Sequence, residues 1–130
     1  MKGHRHLALL LVAIVLPACN GGTVDLHALQ NDSDSIDSLA CEGALLANEV
    51  VHESSTGPFT RVHARELSTR ASNFEDALSE RPTTPGIERA VRREAEKAGK
   101  IAALLHELED ASSESAAGLE DRLHQEGSCA

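Results

Sequence analysis

The chain has no tryptophan, no tyrosine and only two phenylalanines, Phe59 and Phe74. Without Tyr or Trp, and without runs of β-branched residues, no segment reads as a strand. Two aromatics also leave little with which to line a drug-sized pocket. Positive charge is scarce: 12 Lys and Arg stand against 21 Asp and Glu, a net charge of −9. Such a surface repels phosphate backbones, and no basic patch with interleaved aromatics offsets it, which argues against nucleic acid as a partner. No apolar run approaches the ~20 residues of a membrane-spanning helix, since the longest, from Leu7 to Leu16, covers about ten. The three cysteines contain no Cys-x-x-Cys pair, so no redox motif is present. Glycine-rich phosphate loops are missing too, and the many serines cluster in linkers and caps rather than beside a base and an oxyanion hole. The sequence therefore points away from an enzyme and calls for no cofactor.

What is present begins at the amino terminus. Lys2 and Arg5 precede the apolar run, and Pro17-Ala18-Cys19 follows it, the layout of a secretory signal. Leu16-Pro17-Ala18-Cys19 resembles the lipobox of bacterial lipoproteins, with Pro17 a departure from the Ala, Ser or Thr usual at that position. The resemblance implies that residues 1–18 are removed and that Cys19 carries a diacylglyceryl, palmitate-type anchor as the first mature residue. It covers the signal only. An ordinary cleaved signal would want a small residue where Leu16 stands, and an uncleaved anchor is disfavoured by length and by Pro17. Asn20, rather than an aspartate, follows Cys19, which implies the outer membrane in a host with two membranes. In a host with one, the protein would sit on the outer face of the cytoplasmic membrane. Loss of Lys2 and Arg5 with the signal leaves ten basic against 21 acidic residues, a net charge of −11. Membrane attachment then depends on lipid rather than on overall charge.

Residues 19–35, rich in Gly, Asn, Asp and Ser, read as the lipidated cysteine followed by a flexible tether. A tether of that length would reach on the order of 20 Å. Residues 36–130 read as an all-α domain, a small antiparallel bundle of three to four helices. Three stripes at helical spacing define it. They are Ile36, Leu39, Ala40, Gly43, Leu46, Ala47 and Val50; then Phe59, His63, Leu67, Arg70, Phe74, Ala77 and Leu78; then Ile87, Val91, Glu94, Ala98, Ile101, Ala102, Leu105 and Leu108. Ser54-Ser-Thr-Gly-Pro58 separates the first two. Arg81-Pro-Thr-Thr-Pro-Gly86 separates the second and third, with Thr84 expected as N-cap and Pro85 at the first helical position.

Folding the second and third helices about Pro82–Thr83 places Leu67 near Ala98, Phe74 near Val91 and Arg70 near Glu94. Both charges interrupt apolar stripes, so they either form a partly buried interhelical ion pair or snorkel separately to water. Beyond Leu108, residues 112–126 either extend the third helix or fold back as a fourth. The cysteines bear on that choice. With Cys19 lipidated, Cys41 and Cys129 remain as a matched pair in an exported chain, which favours a disulfide. Cys129 reaches Cys41, taken to lie near the start of the first helix, only if a segment from Ser112 to Gln125 returns along the bundle. Cys41 and Leu45, opposite the main stripe, would give that segment a place to dock.

Glu49-x-x-His52 and Asp121-x-x-His124 carry the carboxylate–histidine spacing of di-iron bundles. Measured against each helix's stripe, His52, Asp121 and His124 point outward, so no metal centre is assigned. His63 falls inside the second stripe, where it would bond a backbone carbonyl or Asn48, or act as a pH-responsive contact; His106 reads as surface. The function these features support is a lipid-anchored, non-catalytic envelope protein working through protein–protein contacts. The alternative is an envelope module binding a small ligand or metal ion, and a hydrolase is a distant third.

Overall fold

The computed structural model describes residues 22–130, and Cys19 with its signal lies outside them. Four helices follow in order: α1 Leu26–Val51, α2 Gly57–Glu80, α3 Glu88–Leu108 and α4 Ser113–Gly127. α2 pairs with α3 and α1 with α4, each antiparallel; α1 also touches α2 and α3, and α4 touches α3. The fold is the all-α bundle expected, in its four-helix form, with a core of Leu, Ile, Val and Ala side chains between the helices.

α1 corrects the tether. Helix begins at Leu26, ten residues before Ile36. Asp25 caps it, its carboxylate accepting from the Ala28 N–H at 2.8 Å. Leu29 and Ile36 are buried, while the hydroxyls of Ser35 and Ser38 donate to carbonyls four residues back, those of Asn31 and Asp34. Asp32 pairs with Arg81 at 3.7 Å and Asp37 with Lys97. Residues that look like linker in composition are thus the polar face of a helix held by neighbours.

Further along α1, the small residues Ala40, Gly43, Ala44 and Ala47 are buried. A methyl group at Gly43 would collide with the Leu105 side chain and stand 3.3 Å from Leu123, and one at Gly127 would meet Ala40 at 2.7 Å. Small side chains on α1 let α3 and α4 approach closely, so the final segment does fold back rather than extend α3. Ser112 caps α4 by accepting from the Ser115 N–H. Cys41 and Cys129 stand at disulfide distance, with Cα atoms 5.5 Å apart. Two details of the expectation change. Cys41 lies in the middle of α1, because the helix starts early. Leu45 is 67% exposed and does not receive α4, which docks on the Ala40–Asn48 side instead.

The buried face of α2 is Thr60, Ala64, Leu67, Ala71 and Leu78. This is the predicted stripe turned by about one residue: Leu67 and Leu78 stay inside, but Phe59 and Arg70 are exposed. Small residues lead because α2 and α3 run close together. Ser68 Oγ donates to the Ala102 carbonyl at 2.8 Å, and Glu75 lies against Gly99. These partners sit more than a helical turn further along α3 than a fold about Pro82–Thr83 would place them.

The reason is the connection, which occupies Arg81–Ile87. Thr84 does not cap α3. Instead Thr84-Pro85-Gly86-Ile87 closes a turn, with Ile87 N–H reaching the Thr84 carbonyl at 3.4 Å and Gly86 at φ +99°. Proline second and a positive-φ glycine third are the residues a type II turn demands. α3 then starts at Glu88 without a side-chain cap.

The Arg70–Glu94 ion pair is likewise corrected. Neither residue enters an ion pair among the described residues, and Glu94 Oε2 is buried without a hydrogen-bond partner. Arg70 lines a cleft with Asp32 and Phe74, whereas Glu94 lines another with Leu29 and Ser33. The early turns of α1, absent from the sequence-based picture, lie beside both clefts.

Candidate functional site

The polar chemistry of the bundle gathers at the end where α1 turns into α2 and α3 into α4. Glu109, one residue past α3, is 8% exposed and held from two sides. Arg65 donates to its Oε2 through Nε at 3.2 Å and Nη2 at 3.0 Å, and His106 Nδ1 lies 3.0 Å from its Oε1. Burial by itself raises the Glu109 pKa; the hydrogen bonds and positive charge of His106 and Arg65 outweigh it and hold the carboxyl below its ordinary value of 4.5. Beside it Arg61 grips Asp110 Oδ1 through Nε at 2.9 Å and Nη2 at 2.6 Å. Both pairs tie α2 to the end of α3. They border an open groove of about 370 Å³ whose walls include Glu53, Ser55, Thr60 and Ser113. Its donors and acceptors are largely spent on one another: Ser55 and Thr60 hydroxyls bond at 2.7 Å, and Ser113 donates to the Val50 carbonyl.

A different surface lies along the α1–α2 seam. Phe59 is 54% exposed, and Val62 and Leu45 are each 67% exposed. Among them His63 Nε2 stands 3.0 Å from Glu42 Oε1 and its ring stacks on Phe59, centroids 5.6 Å apart and planes 22° from parallel. His63 thus meets neither a backbone carbonyl nor Asn48, which donates to Glu120 Oε1 at 3.1 Å. It bridges two helices at the surface, as an ion pair whenever the imidazole is protonated. Spacing puts Phe59 next to both Val62 and His63 on α2, and Glu42 next to Leu45 on α1. Exposed apolar side chains therefore flank the His63–Glu42 contact on both helices.

The remaining sequence candidates scatter. Glu49, His52, Asp121 and His124 are all exposed, and His52 Nδ1 is occupied by the Asn48 carbonyl at 2.8 Å. Among the described residues no three His, Cys, Asp or Glu side chains converge in a way that would hold a metal ion. Sequence reasoning missed Glu109, although it extends the α3 stripe four residues beyond Leu105. It also missed Val24, fully buried before α1, which no periodicity marks. Comparison of the chain with protein-family models, with curated proteins and with solved structures finds no match in any of the three.

Proposed function

We propose that this is a lipid-anchored, non-catalytic protein of the bacterial cell envelope, acting through protein–protein contacts of its acidic bundle. The anchor rests on Leu16-Pro17-Ala18-Cys19 behind a short apolar run. The contact role rests on one observation above all: Leu45, Phe59 and Val62 are exposed around the His63–Glu42 pair. Large apolar side chains grouped on a surface, with an aromatic among them and charge within, have the composition of a binding patch.

Two measurements test the reading. Cys19→Ser should abolish lipid labelling and release the protein from membranes; unchanged detergent partitioning of that variant would remove the anchor. For the patch, a Phe59→Ser, Val62→Ser double variant should keep its melting temperature yet lose the envelope protein that the wild type captures from detergent-solubilised membranes. Equal capture by both forms would remove the patch from the contact.

A further inference from the structure

The chain just beyond the proposed anchor is bound to the bundle almost at once. Val24 donates its N–H to the Pro82 carbonyl at 2.8 Å and accepts from the Thr84 N–H at 2.9 Å, a parallel bridge to Thr83. Arg81 Nε donates to the Gly22 carbonyl at 3.1 Å. From Gly22 onward, then, the backbone is strapped to the α2–α3 connection. Only Asn20 and Gly21 separate Gly22 from Cys19. Fully extended chain covers at most ~3.6 Å per residue, so the Cys19 and Gly22 Cα atoms lie no more than about 11 Å apart. That is close to the thickness of a lipid headgroup layer, roughly 5–8 Å.

The pole so restrained has its own chemistry. Leu26, the first residue of α1, is 67% exposed. Arg89, Arg92 and Arg93 project from the first turns of α3, all exposed and in none of the ion pairs among the described residues. Arg93 and Leu26 line one cleft, and Arg92 lines another with Thr83 of the strapped loop. Of the acidic neighbours, Asp25 is occupied in capping α1, Glu88 accepts from the Gly86 N–H and Asp32 faces Arg81, whereas Asp34 and Glu94 line the cleft of Leu26 and Arg93 and leave Arg89 and Arg92 as the cations clear of it. In a mature chain with twice as many acidic as basic residues, this end gathers arginines beside an exposed leucine.

We infer that the pole formed by the Gly22–Val24 strap, Leu26 and the start of α3 is a membrane-contact surface. It seats the bundle on an anionic bilayer, with Leu26 at the headgroup boundary and Arg89, Arg92 and Arg93 against lipid phosphates. The inference rests on lipidation at Cys19. It fixes what an anchor alone does not, the orientation: α1 stands on the membrane, and the groove beside Glu109 faces away from it.

Because the chain has no native tryptophan, a single introduced one reports on one place. The full-length protein, processed and lipidated in a bacterial host, is reconstituted into phosphatidylcholine–phosphatidylglycerol vesicles containing lipids brominated near the headgroup. Leu26→Trp should be strongly quenched and shifted to the blue, and Phe59→Trp should not. Adding Arg89→Glu, Arg92→Glu and Arg93→Glu to Leu26→Trp should reduce quenching severalfold while the protein still sediments with vesicles and keeps its helical circular dichroism. Pure phosphatidylcholine should weaken the quenching of Leu26→Trp in the same direction. Unquenched Leu26→Trp in protein that still sediments would overturn the seating and leave the anchor standing. Failure to sediment, with no lipid on Cys19, would overturn both. Quenching that survives the charge reversal would overturn the role given to the arginines.

Discussion

Glu109 is the residue on which environment has acted most visibly. Its carboxylate is nearly buried, and three nitrogens from Arg65 and His106 surround it. With its pKa lowered on folding, the ionised form stabilises the bundle at pH values above about 4.5, the unfolded value. That contribution is lost as pH falls through the lower, folded value. Glu109→Gln should therefore cost stability at pH 7, by about 1 kcal/mol given how exposed Arg65 and His106 are. It should also flatten the acid limb of the stability curve below about pH 4.5. Urea titrations of both proteins at pH 7 and pH 3.5 check this; a constant difference at the two pH values would show that the carboxylate's charge plays no part. Glu94 makes the opposite case, with one oxygen buried and unpartnered. Both residues lie on the α3 stripe, and the stripe alone does not distinguish the acid that finds an arginine from the one that does not.

At the scale of elements, close approach between helices is set by glycine and alanine, and Gly43, Gly99 and Gly127 differ in kind. At Gly127 a methyl would meet Ala40 Cβ at 2.7 Å and the Asp37 carbonyl oxygen at 3.0 Å, both rigid. Gly127→Ala should destabilise by about 1–3 kcal/mol and strain the neighbouring Cys129 link. Gly43→Ala should fall in the same range, because Leu105 and Leu123 are buried and have nowhere to retreat. At Gly99 the obstacle is the Glu75 carboxylate, the mobile end of a half-buried side chain. Gly99→Ala should be neutral or stabilising by up to about 1 kcal/mol from helix propensity. Thermal denaturation of the three variants separates them, and equal losses at all three sites would refute the distinction.

The same small residues explain what the sequence could and could not disclose. The stripes of α1 from Ile36 and of α3 were legible because Leu, Ile and Val recur there at helical spacing. α2 was found but misoriented by about one residue, because Phe59 and Phe74 draw attention while Thr60, Ala64 and Ala71 do the packing. The first ten residues of α1 were illegible, since Leu29 is their one buried apolar side chain and their serines and aspartates match a linker in composition. The α2–α3 register, and with it the Arg70–Glu94 pair, was misplaced because Thr84 and Pro85 match a helix start in composition but form a turn before Glu88. The end-pole cluster was partly legible: Glu109 continues a stripe, but Arg65 and Arg61 reach it from another helix, and nothing local announces that meeting.

For the whole molecule the decisive link is between Cys41 and Cys129, 88 positions apart. A closed loop of that length restricts the unfolded chain by about 4–5 kcal/mol at most on entropic grounds. Reduction should lower the melting temperature, and limited proteolysis should then cut α4 from Ser113 onward before it cuts the α2–α3 pair. Two alkylatable thiols in protein purified from its native source would show that the link does not form there. The pairing of α1 with α4 has a temporal side as well. A polypeptide appears amino terminus first, both from the ribosome and through an export channel. α2 can close on α3 as soon as both have emerged, but the part of the Ala40–Ala47 face of α1 that meets α4 must wait for residues made last. Through most of its birth the chain therefore carries an uncovered greasy surface next to a reactive thiol. The interval before Ser113–Gly127 arrives is when wrong partners, holding chaperones and proteases have their opportunity, and Cys129 ends it with the final stitch.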